Sequence, residues 1–269
     1  MDLISKKNIK ALLKKQKIYP LKKLGQNFLI DKNVVKKVIK AAELHSKDIV
    51  LEIGPGIGAL TQEIAKTAKK VIAVEKDPRM VEILKETLKD FKNVELVNKD
   101  ILNYSLLTTN YKLIANLPFY ITAPVIRKFL ESKHPPKEMV LIVQKEVAQR
   151  ICSKPPKMNI LAVSVQFYAK PKIISYVSKK SFWPSPKVDS AIIKIVPQKK
   201  YKDVNIDLFF KIVKAGFAHP RKQLANNLTN GLKLNKQEVN DLLLKNDVQP
   251  TQRAETLTIN NWIQLTKVL

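Results

Sequence analysis

Three glycines stand at alternate positions, Gly54, Gly56 and Gly58, directly behind the apolar run Val50-Leu51-Glu52-Ile53. Glycine lets a tight turn take positive φ and lets a ligand approach the backbone closely. A strand passing through such a turn into a helix opens a nucleotide-binding βαβ unit. The spacing is Gly-x-Gly-x-Gly, not the Gly-x-Gly-x-x-Gly of dinucleotide enzymes, so the turn alone leaves the nucleotide open. Glu75 ends the next apolar run, 21 positions after Gly54. That is close to the ~20-residue separation at which an acidic residue grips ribose hydroxyls, and one ionised carboxylate accepts from both. Asp100 follows a third apolar run and reaches the same sheet edge. There it either caps a turn or accepts from the exocyclic amine of an adenine, with Ile101 packed on the ring. A fourth run leads into Asn116-Leu117-Pro118-Phe119-Tyr120, which offers an amide, a stiffened backbone and a flat ring. Upstream, Gln26 and Asn27 are wedged between apolar residues. Buried amides need partners, so they either brace the chain or bind a ligand.

Positioning these residues requires strands alternating with helices. Strands are predicted at 50–53, 71–75, 94–97, 113–115 and 139–143, and helices at 60–68, 78–89, 124–130 and 144–150. Asp31 is placed to cap a helix over 31–42, and 159–168 reads as a further helix. Two β-branched runs, Ile173–Val177 and Ser190–Val196, flank a proline-stiffened loop that carries Phe182 and Trp183. Loop aromatics of this kind are either core or a base-stacking platform. The fold class is therefore α/β, with a Rossmann-like sheet. Beyond the basic stretch Pro197-Gln198-Lys199-Lys200 the strand patterns stop, and 206–217, 220–229, 236–244 and 258–268 read as helices of a small all-α domain. The division expected is a basic N-terminal arm at 1–23, a catalytic domain at 24–198 and a small helical RNA-binding domain at 199–269. The arm, with a basic amphipathic helix over 5–17, is expected either to be solvated or to touch RNA phosphates. Arg221 and Lys222, read at a helix start, oppose the helix dipole and so suggest an external anion.

The 269 residues suffice for one large domain and a smaller one. With 49 Lys+Arg against 23 Asp+Glu, the net charge is +26. A field of that sign attracts polyanions, nucleic acid above all, although part of the lysine excess can be plain solvated surface. Cys152 is the only cysteine, which excludes an intrachain disulfide and a Cys-based zinc site; with three scattered histidines, no metal is expected. No apolar run approaches the ~20 residues of a membrane span, and the N-terminal lysines precede neither an apolar core nor a cleavage site. A cytoplasmic monomer is the expectation.

The order of motifs resembles the S-adenosylmethionine-dependent ribosomal RNA adenine dimethylases of the KsgA type. The motifs are Leu24-Gly25-Gln26-Asn27-Phe28-Leu29, Glu52-Ile53-Gly54-Pro55-Gly56, Glu75, Asp100, Asn116-Leu117-Pro118-Phe119, Gln144-Lys145-Glu146-Val147 and the run from Phe182 through Pro184 and Pro186 to Lys187-Val188-Asp189-Ser190-Ala191. The resemblance implies S-adenosyl-L-methionine as cofactor and a Rossmann-like methyltransferase sheet with a small C-terminal all-α domain. It implies that Gln26, Asn27, Leu29 and Gly54 line the methionine side, Glu75 takes the ribose hydroxyls and Asp100 the adenine amine, with Gly56 and Asn116 also binding the cofactor. Asn116, Leu117 and Phe119 would hold the target adenine, Phe182 would stack on its other side, and Lys187, Arg221 and Lys222 would meet RNA. Phe119 departs from the tyrosine common there, so stacking is kept but no hydroxyl is available. The implied reaction is dimethylation at N6 of two adjacent adenosines near the 3′ end of small-subunit (16S) ribosomal RNA, in the 30S particle, during subunit biogenesis.

Three other readings remain. The erythromycin-resistance dimethylases share the catalytic core but act on 23S RNA; Arg221-Lys222-Gln223-Leu224 and the lysine-bearing loop at Lys187 resemble the small-subunit type more. A non-catalytic ribosomal RNA-binding assembly factor would predict decay of Glu75 or Asn116-Leu117-Pro118, and these stand. An NAD-dependent dehydrogenase would need the dinucleotide spacing and a proton donor, and neither is evident.

Overall fold

The computed structural model describes residues 2–21, 24–105, 110–198, 201 and 203–269. Lys199 and Lys200 of the expected linker, and Lys22 and Lys23 at the end of the expected arm, lie outside the described residues. The chain forms two compact units, Met1–Ala148 with Pro171–Pro197, and Gln149–Lys170 with Gln198–Leu269.

In the first unit, helix α1 (Lys6–Lys15) precedes the short strand β1 (Phe28–Leu29) and helix α2 (Lys32–Ala41). Asp31 caps α2, its carboxylate accepting from the Asn33 and Val34 N–H groups. Then strand and helix alternate: β2 (Ile49–Ile53), α3 (Ala59–Ala65), β3 (Lys70–Glu75), α4 (Pro78–Thr87), β4 (Val94–Asn98), β5 (Tyr111–Asn116), α5 (Thr122–Leu130) and β6 (Glu138–Gln144). Helix α6 (Lys145–Ile151) leads into the second unit, where α7 (Ile160–Tyr168) lies, and β7 (Ala169–Val177) returns to the first, followed by β8 (Phe182–Trp183) and β9 (Ser190–Pro197).

Among the described residues seven strands form one sheet in the order β4-β3-β2-β5-β6-β9-β7. Strands β2 to β6 are parallel and β9 is antiparallel to β6. Apart from the edge strand β4, whose residues are half-buried or exposed, the parallel strands are near-continuous apolar runs because helices cover both faces of such a sheet. Successive strands step outward from β2 through β3 to β4, and then the chain crosses back to β5. That reversal opens a crevice beyond the carboxyl ends of β2 and β5, where ligands bind in open α/β sheets. The register aligns the ends: Ile53 is opposite Val74 and Ala115, and Glu75 is opposite Asn98.

The N-terminal segment is packed, not an isolated arm. Ile9, Leu12 and Leu13 recur at helical spacing and are buried with Phe28, Ile57, Met80 and Ile83, which is what an apolar helix stripe requires. Lys15 pairs with Glu86 on α4 at 2.6 Å, and the Gln16 amide donates to the same carboxylate.

The second unit is built from α7 and from α8 (Ile206–Gly216), α9 (Leu224–Leu232), α10 (Lys236–Lys245) and α11 (Ile259–Val268). The division expected between 198 and 199 therefore falls differently: α7 joins the helical unit. The cause is aromatic packing, with the Phe167 ring 4.2 Å from Phe209 and stacked 5.5 Å from Tyr201. Helix α9 begins at Leu224, not Pro220, with Gln223 as its N-cap. Arg221 and Lys222 thus lie in the exposed turn ahead of the cap.

At the amino end of the sheet, Lys112 on β5 is buried and its ammonium lies 3.2 Å from both Asp48 and Glu138. It also donates to the carbonyl oxygens of Ala42 and Glu43. Lys194 on β9 pairs with the other Glu138 oxygen at 2.8 Å. Removing one member of a buried ionic group strands the rest without compensation. Lys112→Met is expected to lower unfolding stability by about 3–5 kcal/mol in urea titration; a change under about 1 kcal/mol would show that water screens the cluster.

Candidate active site

The crevice at the strand ends is a cleft whose empty space, its open mouth included, is about 980 Å³, enough for a nucleoside-sized ligand. Gln26, Asn27, Leu29, Gly54, Gly56, Glu75, Asp100 and Asn116 all line it. These residues come from separate segments of sequence and meet because parallel strands deliver their carboxyl ends to one edge.

Glu75 is 8% exposed. One carboxylate oxygen accepts from the Gly56 N–H at 3.2 Å and the other from the Asp77 N–H at 2.9 Å. Burial raises its pKa above the usual carboxylate range, while those N–H bonds pull the other way. Gly56 has φ 60°, and a Cβ there would meet the Phe28 ring at 3.2 Å. Gly54 has φ 65°, and a Cβ there would meet nothing within 4 Å. The turn thus presents bare backbone to the cleft.

Gln26 lines the cleft with its side chain engaged at both ends: the oxygen accepts from the Leu21 N–H at 2.8 Å and the amide donates to Asp77 at 2.9 Å. Of its two sequence-level alternatives, bracing is the one visible here. The Asn27 amide donates to the Gly25 carbonyl, and the Asn27 carbonyl accepts from the Asn116 amide at 3.0 Å. That bond fixes which way the Asn116 amide points.

Of the two roles open to Asp100, capping the turn is the one visible here. One oxygen caps the turn at Ile101–Asn103 by accepting from the Leu102 N–H, and the other pairs with Lys76 at 2.8 Å inside the cleft. The Lys76 ammonium and the Leu102 N–H hold its carboxyl below the usual range. Lys76 is a lining residue that the sequence reading passed over; its position after the strand-end Glu75 was the available signal.

The aromatic positions differ most from expectation. Leu117 is buried and Phe119 half-buried, and the cleft is lined instead by their neighbours Pro118 and Tyr120. Tyr120 is 55% exposed, so an aromatic face at this edge comes from Tyr120, a residue the sequence pattern displayed but did not assign. Phe182 is 3% exposed and packs with Leu29, Val177 and Ile192. β8 pairs with β1, which places Phe182 opposite Leu29, so the side chain lies in the core here rather than displayed on a loop. Lys187 is exposed on the loop after β8, and Arg221 and Lys222 are exposed in the second unit. Among the described residues no group of three metal-ligating side chains exists, and no helix is long and apolar enough to cross a membrane.

The profile of the ribosomal RNA adenine dimethylase family matches residues 21–268. This chain belongs to that family. It is 45% identical over 251 residues to the ribosomal RNA small subunit methyltransferase A of Dehalococcoides mccartyi, covering 91% of this chain and 86% of the relative. Identity to the same-named protein of Alkaliphilus metalliredigens is 41%, over 98% of this chain and 97% of the relative. Among solved structures, a dimethyladenosine transferase from Plasmodium falciparum superposes with a TM-score of 0.79 at 29% identity, over 88% of this chain and 95% of the other. The 23S rRNA methyltransferase ErmE superposes with a TM-score of 0.76 at 26% identity, over 90% and 98%. The fold is the Rossmann-like sheet of these methyltransferases, as the topology requires.

Glu52, which also lines the cleft, is 2% exposed. Its carboxyl lies beside the buried Thr61 hydroxyl, whose weak hydrogen bond favours the ionised form but does not offset the burial. Burial, with the charge of Glu75 adding to it, pushes the Glu52 pKa up from 4.5 to about 8. The folded chain thus holds this proton while the unfolded chain releases it near 4.5. The stability tied to it is intact below that pH and is lost as pH rises to about 8. Glu52→Gln has no such loss, so its stability relative to wild type should grow by ~3–5 kcal/mol across this window, at about 1.4 kcal/mol per unit. Parallel stability curves from pH 5 to 8.5 would show that Glu52 is ionised in the folded chain.

Proposed function

We propose that the chain dimethylates N6 of two adjacent adenosines near the 3′ end of small-subunit ribosomal RNA, with S-adenosyl-L-methionine as methyl donor. The observation that carries this reading is the Asn116 amide, fixed by the Asn27 carbonyl at the edge of a cleft that also holds Glu75. The cleft fits the cofactor by its own chemistry. Glu75 presents an oriented carboxylate for a ribose diol, Asp100 a carboxylate for an adenine amine, and Gly54 bare backbone where a side chain would intrude. When bound, the cofactor supplies a methyl already activated by its sulfonium.

What remains for the protein is to aim the nucleophile. Adenine N6 delocalises its lone pair into the ring and is a poor nucleophile while planar. With its N–H end committed to Asn27, the Asn116 amide directs its oxygen to accept from the target amine. The Leu117 carbonyl supplies a second acceptor. Two acceptors on one amine favour a pyramidal nitrogen with its lone pair turned outward, which is preorganisation where positive charge develops. The substrate adenosine must leave its stack to reach the cleft, and Tyr120 offers aromatic surface that offsets part of that loss. No strong base is needed, because positioning supplies most of the acceleration and the methylated amine, cationic once the methyl has arrived, is acidic enough to release its proton to water.

Small-subunit RNA is favoured over large-subunit RNA because identity to the small-subunit methyltransferases reaches 45%, against 26% for ErmE. The test is labelled cofactor with unmethylated 30S and 50S particles: label in 30S RNA is expected, and label in 50S alone overturns the assignment. Asn116→Ala should lower kcat for methyl transfer at least 100-fold, with cofactor affinity by calorimetry within about threefold of wild type. Retained dimethylation by that variant would overturn the role of the amide.

A further inference from the structure

The far end of the sheet carries an exposed feature outside the cleft. Among the described residues β7 is the last strand on its side, and its side chains alternate between faces. Ser175 and Val177 face α2: the Ser175 hydroxyl accepts from Lys37 at 3.2 Å, and Val177 packs with Val34 and Val38. The opposite face presents Lys172, Ile174 and Tyr176, with Ile174 39% and Tyr176 52% exposed. Lys145, the first residue after β6, sets its ammonium 5.2 Å from the Tyr176 ring centroid. Because β6 ends at the ligand-facing edge, Tyr176 sits at that edge too. The order β5-β6-β9-β7 separates it from Asn116 by three strand spacings, roughly 14 Å. Around it Lys172, Lys179 and Lys180 are exposed; the nearby acids are Glu146 and Asp189, and one Asp189 oxygen already accepts from the Lys179 N–H.

We propose that Tyr176, with Lys145 and Lys172, is a stacking platform for an unpaired nucleotide that flanks the target adenosine in the substrate RNA. The proposal rests on the RNA-methylating reading above. An exposed aromatic ring beside exposed ammonium groups suits a base and its phosphates, since every base has a face to stack and every nucleotide a negative phosphate to neutralise. A partner protein strand adding to this edge is the less favoured occupant, because lysines on an edge strand oppose strand addition.

The experiment compares Tyr176→Ala and Tyr176→Phe on unmethylated 30S particles. Loss of one stacked base should raise KM for the particle about tenfold in Tyr176→Ala, with kcat and cofactor affinity unchanged, while Tyr176→Phe stays at wild-type values. No transfer by the unsubstituted protein overturns the RNA-methylating reading and this proposal with it. Transfer with an unmoved KM in Tyr176→Ala overturns this proposal alone. A photo-reactive azidophenylalanine placed at position 176 should cross-link to ribosomal RNA; cross-linking to ribosomal protein alone overturns it as well.

Discussion

The site depends on one buried carboxylate. Glu75 ends β3 inside the protein, and a charged group there is tolerable only if its oxygens find donors. It finds them in the Gly56 N–H of the glycine turn and the Asp77 N–H at the start of α4. Three pieces of chain are thereby locked together: the strand end, the turn after β2, and the helix after β3. Asp77 extends the lock, since it accepts from Gln26, which in turn accepts from the Leu21 N–H. The first sequence motif is tied to the cleft through this carboxylate relay.

The same economy governs the other half of the cleft. The Asn27 backbone holds the Asn116 amide, so the segment that closes one wall also sets which way that amide points. Phe182 serves this indirectly by packing behind Leu29, in the strand that carries Asn27 into place. At the opposite end of the sheet Lys112 and Lys194 join β5, β6 and β9 through Glu138. That ionic group anchors the strands whose far ends form the cleft.

The sheet was legible because periodicity and strand-end chemistry are local properties. Glu75, Asp100 and Asn116 could be placed at one edge from apolar run lengths alone, since parallel strands end on the same side. Side-chain facing is not local. Whether Phe182 stacks on a base or fills the core depends on its antiparallel pairing with residues about 150 positions earlier. Whether Phe119 or Tyr120 meets the cleft depends on the short helical turn at Phe119–Ile121. The N-terminal helix was read by its charge, while its three buried apolar residues decide where it lies. The assignment of α7 to the helical unit rests on aromatic contacts that no run length reveals.

The direct test of the central role given to Glu75 is calorimetric titration of S-adenosyl-L-methionine into the wild-type chain and into Glu75→Gln. The substitution keeps the shape and removes the charge that is proposed to accept both ribose hydroxyls. A loss of cofactor affinity of about 10- to 100-fold, with α/β circular dichroism unchanged, is the predicted result. Equal affinity in the two proteins would contradict the assignment of this carboxylate as the anchor of the site.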